Sequence, residues 1–330
     1  MKIQNSISGV RNFFLLLSLS IFSLSCQFGE NKAKDEGGAV NQQEEVETKQ
    51  ESDKQEFTEI ITTSMEFQTK DTLKSGWNTF KYKNRSNETH LILFDKYPKG
   101  KTIADTKRDI VPPFQEGMDL INEGKMEEAG KAFGKLPEWF QEVEFVGGVG
   151  LISPQSTAQS TMKLEPGTYI IECYVKMPNG VFHTTQGMAK QIEVVEEKTD
   201  LSEPSADYTI SIAAEEGIKF DQDVSTGEKT FAVNFGKQKV HEHYLMHDVN
   251  LVWAEPGADL AELEKWVNWS DPEGLQTPAP KGFKFLGGMQ EMNEGKTGYF
   301  TADLKQGRYV LIAEVPGSRE KGMLKEFMVK

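Results

Sequence analysis

The sequence predicts a mainly β protein that contains two tandem β-sandwiches, each with a helical insertion. Segments such as NTFKYKN and KTFAVNF place aromatic and apolar residues at alternate positions, which is the periodicity of half-buried strands. The strand-like runs TYIIECYV and RYVLIAEV follow Pro-Gly and Gln-Gly turns. Several short strands separated by turns favour a sandwich. The third observation is that the chain repeats itself.

The repeat aligns without a gap. FVGGVGLISPQSTAQSTMKLEPGTYIIEC begins at Phe145, and FLGGMQEMNEGKTGYFTADLKQGRYVLIA begins at Phe285. Both contain Phe-x-Gly-Gly and then, after the same interval, Leu-x-x-Gly-x-Tyr and an apolar strand. The endings GMAKQIEV and GMLKEFMV also correspond, as do the openings GWNTFKYKN and GEKTFAVNF. The pattern predicts two copies of one unit.

Each unit also has a predicted helical insertion. In the first, PFQEGMDLINEGKMEEAGKAFGKL spaces its apolar residues at roughly helical intervals and is broken at Gly124. In the second, DLAELEKWV is shorter. We interpret these insertions as lids over one end of a sandwich; a partner-binding surface is the alternative.

The N-terminus predicts export and lipid attachment. Lys2 and Arg11 accompany an apolar run from Phe13 to Leu24 that is too short to span a membrane comfortably, which is typical of a secretory signal peptide. The run ends in SLSC, which resembles a bacterial lipobox, so we expect lipid on Cys26. Ordinary signal cleavage that leaves a free thiol is the alternative.

The predicted organisation has five parts. Residues 27–57 are charged, rich in Gln and Glu, and too polar to bury a core, so they are interpreted as a flexible acidic tether. Their acidic bias resembles the segments that follow the lipidated cysteine in surface lipoproteins of Bacteroidota. The parts are signal peptide 1–26, tether 27–57, domain 58–196, linker 197–206 and domain 207–330.

Both units resemble the cupredoxin-like fold, the sandwich of blue-copper proteins, over roughly 58–196 and 207–330. The resemblance rests on the order of a few residues, not on tight spacing. These are the stretch GWNTF from Gly76, then Asn84 and His90, and later Tyr169, Cys173, His183 and the pair Gly187-Met188. The resemblance implies that copper binds to domain 1 through His90, Cys173, His183 and Met188. In such centres a thiolate and two imidazoles bind in a plane and a thioether binds weakly on the axis.

Two features depart from that pattern. Nine residues separate Cys173 from His183, and YVKMPNG predicts a strand continuation and a turn that carry Cys173 away from His183. The second copy has Ala313 at the cysteine position and a shorter loop without histidine, so that only Met323 remains. The alternative is therefore a metal-free domain with Cys173 as a buried structural thiol, Met188 as a core residue and His183 in an exposed loop.

A second histidine cluster lies in HEHYLMH. On a strand, His241, His243 and His247 share parity and face one side, where a pair at i and i+2 can bind zinc or copper. Polar packing at a strand end is the alternative. We treat these three residues as weaker metal candidates than the four in domain 1.

Composition and motifs limit the classes of function that the chain can have. The net charge of −14 argues against nucleic-acid binding. No Gly-x-Ser-x-Gly elbow, phosphate-binding loop, dinucleotide fingerprint or His-Glu-x-x-His motif is present, so we predict no enzyme. The leading interpretation is a binding or scaffolding protein, anchored by lipid to the bacterial envelope, at the periplasmic or surface face of the outer membrane. Its partner would be an envelope protein or a small ligand. The alternatives are a copper-binding or electron-transfer protein, and an accessory module that binds carbohydrate or peptide.

Overall fold

The computed structural model of the chain describes residues 57–240 and 246–330, and these residues are mainly β, as predicted. The predicted signal peptide with Cys26, nearly all of the tether, and both His241 and His243 lie outside the described residues. Within the described ranges, no helix combines the length and apolar character needed to cross a bilayer.

The described strands fall into two series. The first half, residues 57–198, contains β1 (Thr58–Thr62), β2 (Thr72–Asn84), β3 (His90–Lys96), β4 (Glu144–Ile152), β5 (Ser156–Leu164), β6 (Gly167–Glu172) and β7 (Ala189–Lys198). The second half, residues 207–330, contains β8 (Tyr208–Ala213), β9 (Gly217–Lys219), β10 (Gly227–Phe235), β11 (Val249–Ala254), β12 (Phe283–Met289), β13 (Thr297–Leu304), β14 (Gly307–Ile312) and β15 (Leu324–Val329).

The helices of the first half extend beyond the predicted insertion. The insertion, residues 113–136, contains most of α2 (Val111–Asn122) and all of α3 (Met126–Phe133). α1 (Ile103–Asp105) and a π-helical turn (Thr106–Ile110) precede it, and a 3-10 turn (Glu138–Glu142) follows it. The break between α2 and α3 contains Gly124, whose φ of 76° suits glycine. In the second half α4 (Leu260–Val267) begins after Asp259, whose side chain accepts a hydrogen bond from the Ala261 amide.

Strand pairing in the two halves follows one scheme. In the first half β1 pairs with β2 in parallel, and the pairs β2–β5, β3–β4, β3–β6 and β6–β7 are antiparallel. In the second half β8 pairs with β10 in parallel, and β10–β13, β11–β12, β11–β14 and β14–β15 are antiparallel. These five pairings correspond one to one. The parallel β2–β7 pair is matched in the second half by a single bridge between Val224 and Val329, and the antiparallel β8–β9 pair is matched in the first half by a single bridge between Ile61 and Gln68.

Hydrogen-bonded sheets continue from one half into the other. Strand β5 pairs antiparallel with β13, where Thr161 lies opposite Tyr299, and β4 meets β12, where Ile152 lies opposite Leu286. One hydrophobic cluster includes buried residues from both halves, among them Phe80 and Phe285. The halves are therefore joined by backbone pairing as well as by apolar packing.

The repeated Gly-Gly pair allows two strands to approach closely. A Cβ atom on Gly148 would lie 1.9 Å from the carbonyl oxygen of Ile92, and one on Gly288 would lie 2.0 Å from that of Val249. Any side chain at these positions would push β3 away from β4, or β11 away from β12. The Phe-x-Gly-Gly motif thus has the same steric role in both halves.

Replacing Gly148 by Ala is expected to lower the free energy of unfolding by about 3 kcal/mol, because the backbone must shift to relieve the clash. Urea denaturation measures the change. The control is Gly130→Ala on α3, where a Cβ meets nothing within 4 Å. That substitution is expected to be neutral or to stabilise by up to about 1 kcal/mol. Equal stability of the two variants would contradict the steric role.

Candidate metal centre

Three buried side chains of the first half meet at one end of the β3–β6 pair. His90 is the first residue of β3, and Cys173 directly follows β6. The two strands are antiparallel, with Leu93 opposite Glu172, so these strand ends lie side by side. His183 stands just before a 3-10 turn that leads into β7. We call His90, Cys173 and His183 the ligand triad.

A hairpin returns the chain from Cys173 to His183. The Met177 amide donates to the Val181 carbonyl at 2.7 Å, and the His183 amide donates to the Val175 carbonyl at 2.8 Å. The expectation that this stretch carries Cys173 away from His183 is therefore wrong, because the Pro-Asn-Gly turn folds the chain back. The expectation of an exposed loop histidine is also wrong, since the exposed fraction of His183 is 0%.

The second half anchors this hairpin. The Lys176 amide donates to the Leu275 carbonyl at 2.9 Å, and the Thr277 amide donates to the Lys176 carbonyl at 2.9 Å. The Lys176 ammonium donates to the Asp271 carbonyl at 2.9 Å, and burial lowers its pKa to about 8. Since the hairpin carries His183, the second half helps to fix the position of one member of the ligand triad.

The donor atoms of the ligand triad converge. The Cys173 Sγ atom lies 3.7 Å from His90 Nδ1 and 3.6 Å from His183 Nδ1, and the two Nδ1 atoms lie 3.1 Å apart. All three residues are fully buried, and their donor atoms lie within 4.8 Å of one another. Within the described residues, this is the group of histidine, cysteine and acidic side chains close enough to hold one ion.

The distances fit a single transition-metal ion. An ion with bonds of the length found at zinc would lie about 2.0 Å from each nitrogen and about 2.3 Å from the sulfur, and these bond lengths fix the distances between the donor atoms. In a trigonal plane the nitrogen–sulfur separation is about 3.7 Å and the nitrogen–nitrogen separation about 3.5 Å. The observed nitrogen–sulfur distances agree, and the two nitrogens are somewhat closer together.

The outer ring nitrogens face oxygen atoms, which leaves each Nδ1 for a metal. His90 Nε2 lies 2.9 Å from Ser86 Oγ, and His183 Nε2 lies 3.1 Å from Glu88 Oε2. The second contact is within ion-pairing distance, although its angle falls outside the range of a hydrogen bond. Histidine ligands of metals usually donate their second N–H to such an oxygen. Both partners are therefore suited to orient the rings.

The hydrogen bonds of Ser86 are compatible with the tautomer of His90 that metal binding requires. The Ser86 hydroxyl donates to Asn84 Oδ1 at 2.8 Å or to the Glu88 carbonyl at 3.1 Å, and neither oxygen can donate in return. When the single Ser86 hydroxyl proton points at either of these oxygens, the contact with His90 is a hydrogen bond donated by His90 Nε2. In neutral imidazole the Nδ1 atom then carries the lone pair, as metal binding requires.

Ser86 and Glu88 were not predicted as part of the site. Asn84 holds their segment in place: its Oδ1 accepts from the Ser86 amide at 3.0 Å, and its Nδ2 donates to the Glu88 carbonyl at 2.8 Å. The sequence feature that could have indicated their role is their position, four and two residues before His90. Polar side chains so close to a ligand can reach the far side of its ring.

Burial keeps the ligand triad neutral. It lowers the pKa of His90 to about 3, helped by the nearby His183, and lowers that of His183 to about 4. It raises the pKa of the Cys173 thiol to about 12. A metal ion that binds here must therefore displace the thiol proton, while both imidazoles already have the protonation state of ligands.

Met188 is held beside the ligand triad by the backbone. Its side chain is fully buried, its amide donates to the His183 carbonyl at 3.0 Å, and its carbonyl accepts from the Cys173 amide at 3.3 Å. The residue predicted as a fourth ligand is thus tied directly to two others. Its burial suits both that prediction and the alternative of a core residue.

The second half repeats this backbone arrangement with different side chains. The Met323 amide donates to the Ser318 carbonyl at 2.6 Å, and the Ala313 amide donates to the Met323 carbonyl at 3.0 Å. Ala313 thus stands in place of Cys173 and Ser318 in place of His183. The second half keeps the loop without the thiol and without the second imidazole.

His247 occupies the place of His90. Asn250 pairs with Gly288 and Ile312, as Leu93 pairs with Gly148 and Glu172, so the residue three positions earlier is a histidine in both halves. His247 is fully buried, and its amide donates to Gln238 Oε1 at 3.3 Å. The expectation that only Met323 remains in the second copy is therefore incomplete. His241 and His243, its predicted companions, lie outside the described residues.

Comparison with protein-family models and with curated proteins finds no match. Among solved structures, similar chains include auracyanin from Roseiflexus castenholzii, with 19% identity over 42% of this chain and 94% of that one, at a TM-score of 0.25. Auracyanin A from Chloroflexus aurantiacus, described as a "blue" copper protein, has 20% identity over 42% of this chain and 96% of that one, at a TM-score of 0.25. An azurin from Methylomonas sp. strain J has 14% identity over 37% of this chain and 94% of that one, at a TM-score of 0.25.

Proposed function

We propose that the first half binds one copper ion and carries one electron on it. Cys173 Sγ and the Nδ1 atoms of His90 and His183 would hold the ion, and the Met188 thioether would be a weaker fourth ligand. The observation that carries this proposal is the convergence of three buried donor atoms whose outer nitrogens already face oxygens. Copper supplies a one-electron redox couple when bound to such a set.

The residues around the ligand triad suit that role. His90 and Cys173 are fixed by paired strands, and His183 is fixed by a hairpin anchored on the second half, so the donors need little rearrangement when the charge of the ion changes. Full burial excludes water from the donor atoms. A thiolate and two imidazoles in a plane select copper more than they select magnesium or calcium.

The same proposal extends to the architecture and the location of the protein. Matched strand pairing in the two halves and the shared Gly-Gly contacts support two duplicated cupredoxin-like sandwiches, of which the first kept the metal ligands. Lipid attachment at Cys26 and a place in the bacterial envelope rest on the sequence. An electron carrier tethered to a membrane surface would exchange electrons with envelope proteins.

Copper stoichiometry tests the proposal. Metal-free protein treated with excess Cu²⁺ and separated by gel filtration is expected to retain one copper per chain, and His183→Ala is expected to retain none because the triad loses a planar ligand. The double variant His241→Ala and His243→Ala is the control, and it should retain one. Absence of copper in the wild-type protein, or its retention by His183→Ala, would contradict the site.

A further inference from the structure

A cavity lies between the sheet of the first half and its helical insertion, and Trp269 and Glu291 of the second half complete its lining. It lies on the outer face of β3 and β6, under α2 and the 3-10 turn (Glu138–Glu142), is partly open to solvent and has a volume of about 70 Å³. We call it the aromatic cavity after the rings that line it: Tyr97, Phe114, Phe140, Phe145, Tyr174, Phe182 and Trp269. The insertion thus covers a sheet face, where the sequence predicted a lid over one end.

Strand alternation separates this cavity from the ligand triad. Glu172 lines the cavity, whereas the next residue, Cys173, belongs to the main core. On β3 the same alternation directs Leu93 and Asp95 to the cavity, and the intervening Phe94 is fully buried in the core. A ligand in the cavity would therefore occupy a different side of the sheet from a metal.

Carboxyl groups line this otherwise apolar space. They belong to Asp95, Glu172 and Glu291, and the exposed fractions of Asp95 and Glu291 are 4% and 3%. Among the described residues that line the cavity there is no lysine, arginine or histidine. Buried carboxylates ordinarily have a cationic partner, because desolvation of an unpaired charge is costly.

Asp95 has a buried oxygen that is available to a ligand. Its carboxyl hydrogen-bonds with that of Glu172, yet no amide, hydroxyl or cationic group of the described chain donates to its Oδ1 atom. Buried polar atoms are nearly always satisfied in native structures. A donor that the described chain does not provide is thus expected at this position.

We propose that the aromatic cavity binds a small organic cation, an amine that carries an apolar group. The ammonium would donate to Asp95 Oδ1 and lie near Glu291, while the apolar group and the charge would both contact the aromatic rings, which attract cations at their faces.

The arrangement favours an amine over a metal ion. The oxygens of Asp95, Glu172 and Glu291 do not form a group within 4.8 Å of one another, as ligands of a single ion would in the described part of the chain. Aromatic and aliphatic side chains make up most of the lining, and they provide no ligands for calcium or magnesium.

Tryptophan fluorescence provides the test, since Trp269 lines the cavity. Benzylamine is expected to change the emission saturably, and benzyl alcohol, which has the same ring without the charge, is expected to bind at least tenfold more weakly. This comparison uses the wild-type protein and so does not depend on the folding of a variant. Trp269→Phe identifies the source of the signal. Equal binding of the two probes would overturn the proposal.

A variant of Asp95, the proposed hydrogen-bond acceptor of the ammonium, provides a second comparison of benzylamine affinity. Asp95→Asn is expected to weaken benzylamine binding at least tenfold, while Asp119→Asn, at an exposed position on α2, should leave it unchanged. Unchanged binding in Asp95→Asn would overturn the proposal, and so would displacement of benzylamine by Mg²⁺ or Ca²⁺. Copper stoichiometry in the same variants is expected to remain at one, which separates a failure of this cavity from a failure of the metal centre.

Discussion

The copper-loaded protein is expected to lose its intense visible absorption entirely when Cys173 is replaced by Ala. That absorption arises from charge transfer between a thiolate and Cu²⁺, and Cys173 is the thiol within reach of both Nδ1 atoms. Absorption spectra of Cu²⁺-loaded wild-type and variant protein measure the loss. All samples should carry Cys26→Ser, because the chain has two cysteines and Cys173 must be the one that remains.

The second half supplies a reason to expect that this variant folds. Ala313 makes the same backbone hydrogen bond to Met323 that Cys173 makes to Met188, so alanine is compatible with this loop. Thermal unfolding of the metal-free variant is the folding control. A weakly coloured wild-type protein, or a variant that keeps the band, would show that Cys173 is not a copper ligand.

The free energy of unfolding is expected to fall as the pH rises from about 6.5 to about 8, a range in which His90 and His183 are predominantly neutral in both the folded and the unfolded state. Burial raises the pKa of Glu291 to about 8 and that of Glu314 to about 7, and it also raises that of Asp248. An acid whose pKa is higher in the folded state holds its proton more tightly there. Its stabilising contribution is therefore complete when the pH is below the pKa of the acid in the unfolded state. The contribution is lost as the pH rises through the pKa of the acid in the folded state.

The expected loss for Glu291 alone is about 2 kcal/mol over this range. An acid that is ionised in the unfolded state but protonated in the folded state loses about 1.4 kcal/mol of stabilisation per pH unit. The carboxyl of Glu314 accepts hydrogen bonds from the Tyr174 hydroxyl at 2.9 Å and Asn250 Nδ2 at 3.2 Å, while Glu291 Oε2 accepts from the Met246 amide at 3.0 Å. These contacts reduce the cost of ionisation without providing a cation.

Urea denaturation at several pH values measures this dependence. Glu291→Gln is expected to flatten the profile, because glutamine cannot ionise. Glu294→Gln, three residues away and exposed, should leave the profile unchanged. The groups that face Glu291 and Glu314 are themselves acids, Glu172 and Asp248, so no nearby cation reverses the trend. Stability that rises toward pH 8 would contradict the account.

Much of the fold was predictable because its signals are local. Period-2 alternation in NTFKYKN predicts β2, and helical spacing with a break at Gly124 predicts α2 and α3. The Phe-x-Gly-Gly motif marked the repeat, although the sequence did not explain it. Its explanation lies in the close approach of Ile92 to Gly148, a contact between distant segments.

The candidate site was predictable in its residues and not in its geometry. The resemblance to cupredoxins named His90, Cys173, His183 and Met188, but the spacing suggested that Cys173 and His183 diverge. The Pro-Asn-Gly turn folds the chain back, and backbone pairing between Lys176 and residues of the second half fixes the position of the hairpin. Such a contact across the chain has no signature in the spacing of the residues.

The buried acids were missed for a similar reason. In a sequence with 51 acidic residues, each one is ordinarily assigned to the surface. Asp95 and Glu172 nevertheless stand inside the apolar runs LILFDK and YIIEC, which was the available signal. The motif HEHYLMH groups His247 with His241 and His243, whereas the register of β11 relates it to His90.

The second half builds the loop of Met323 and Ser318 around an alanine, so this framework forms without help from any ion. By extension, the corresponding framework of the first half needs no ion to fold. Because ion binding would not have to order the chain, nearly all of the free energy of the metal–ligand bonds would contribute to the affinity for the ion. Removal of the ion should therefore leave the polypeptide native.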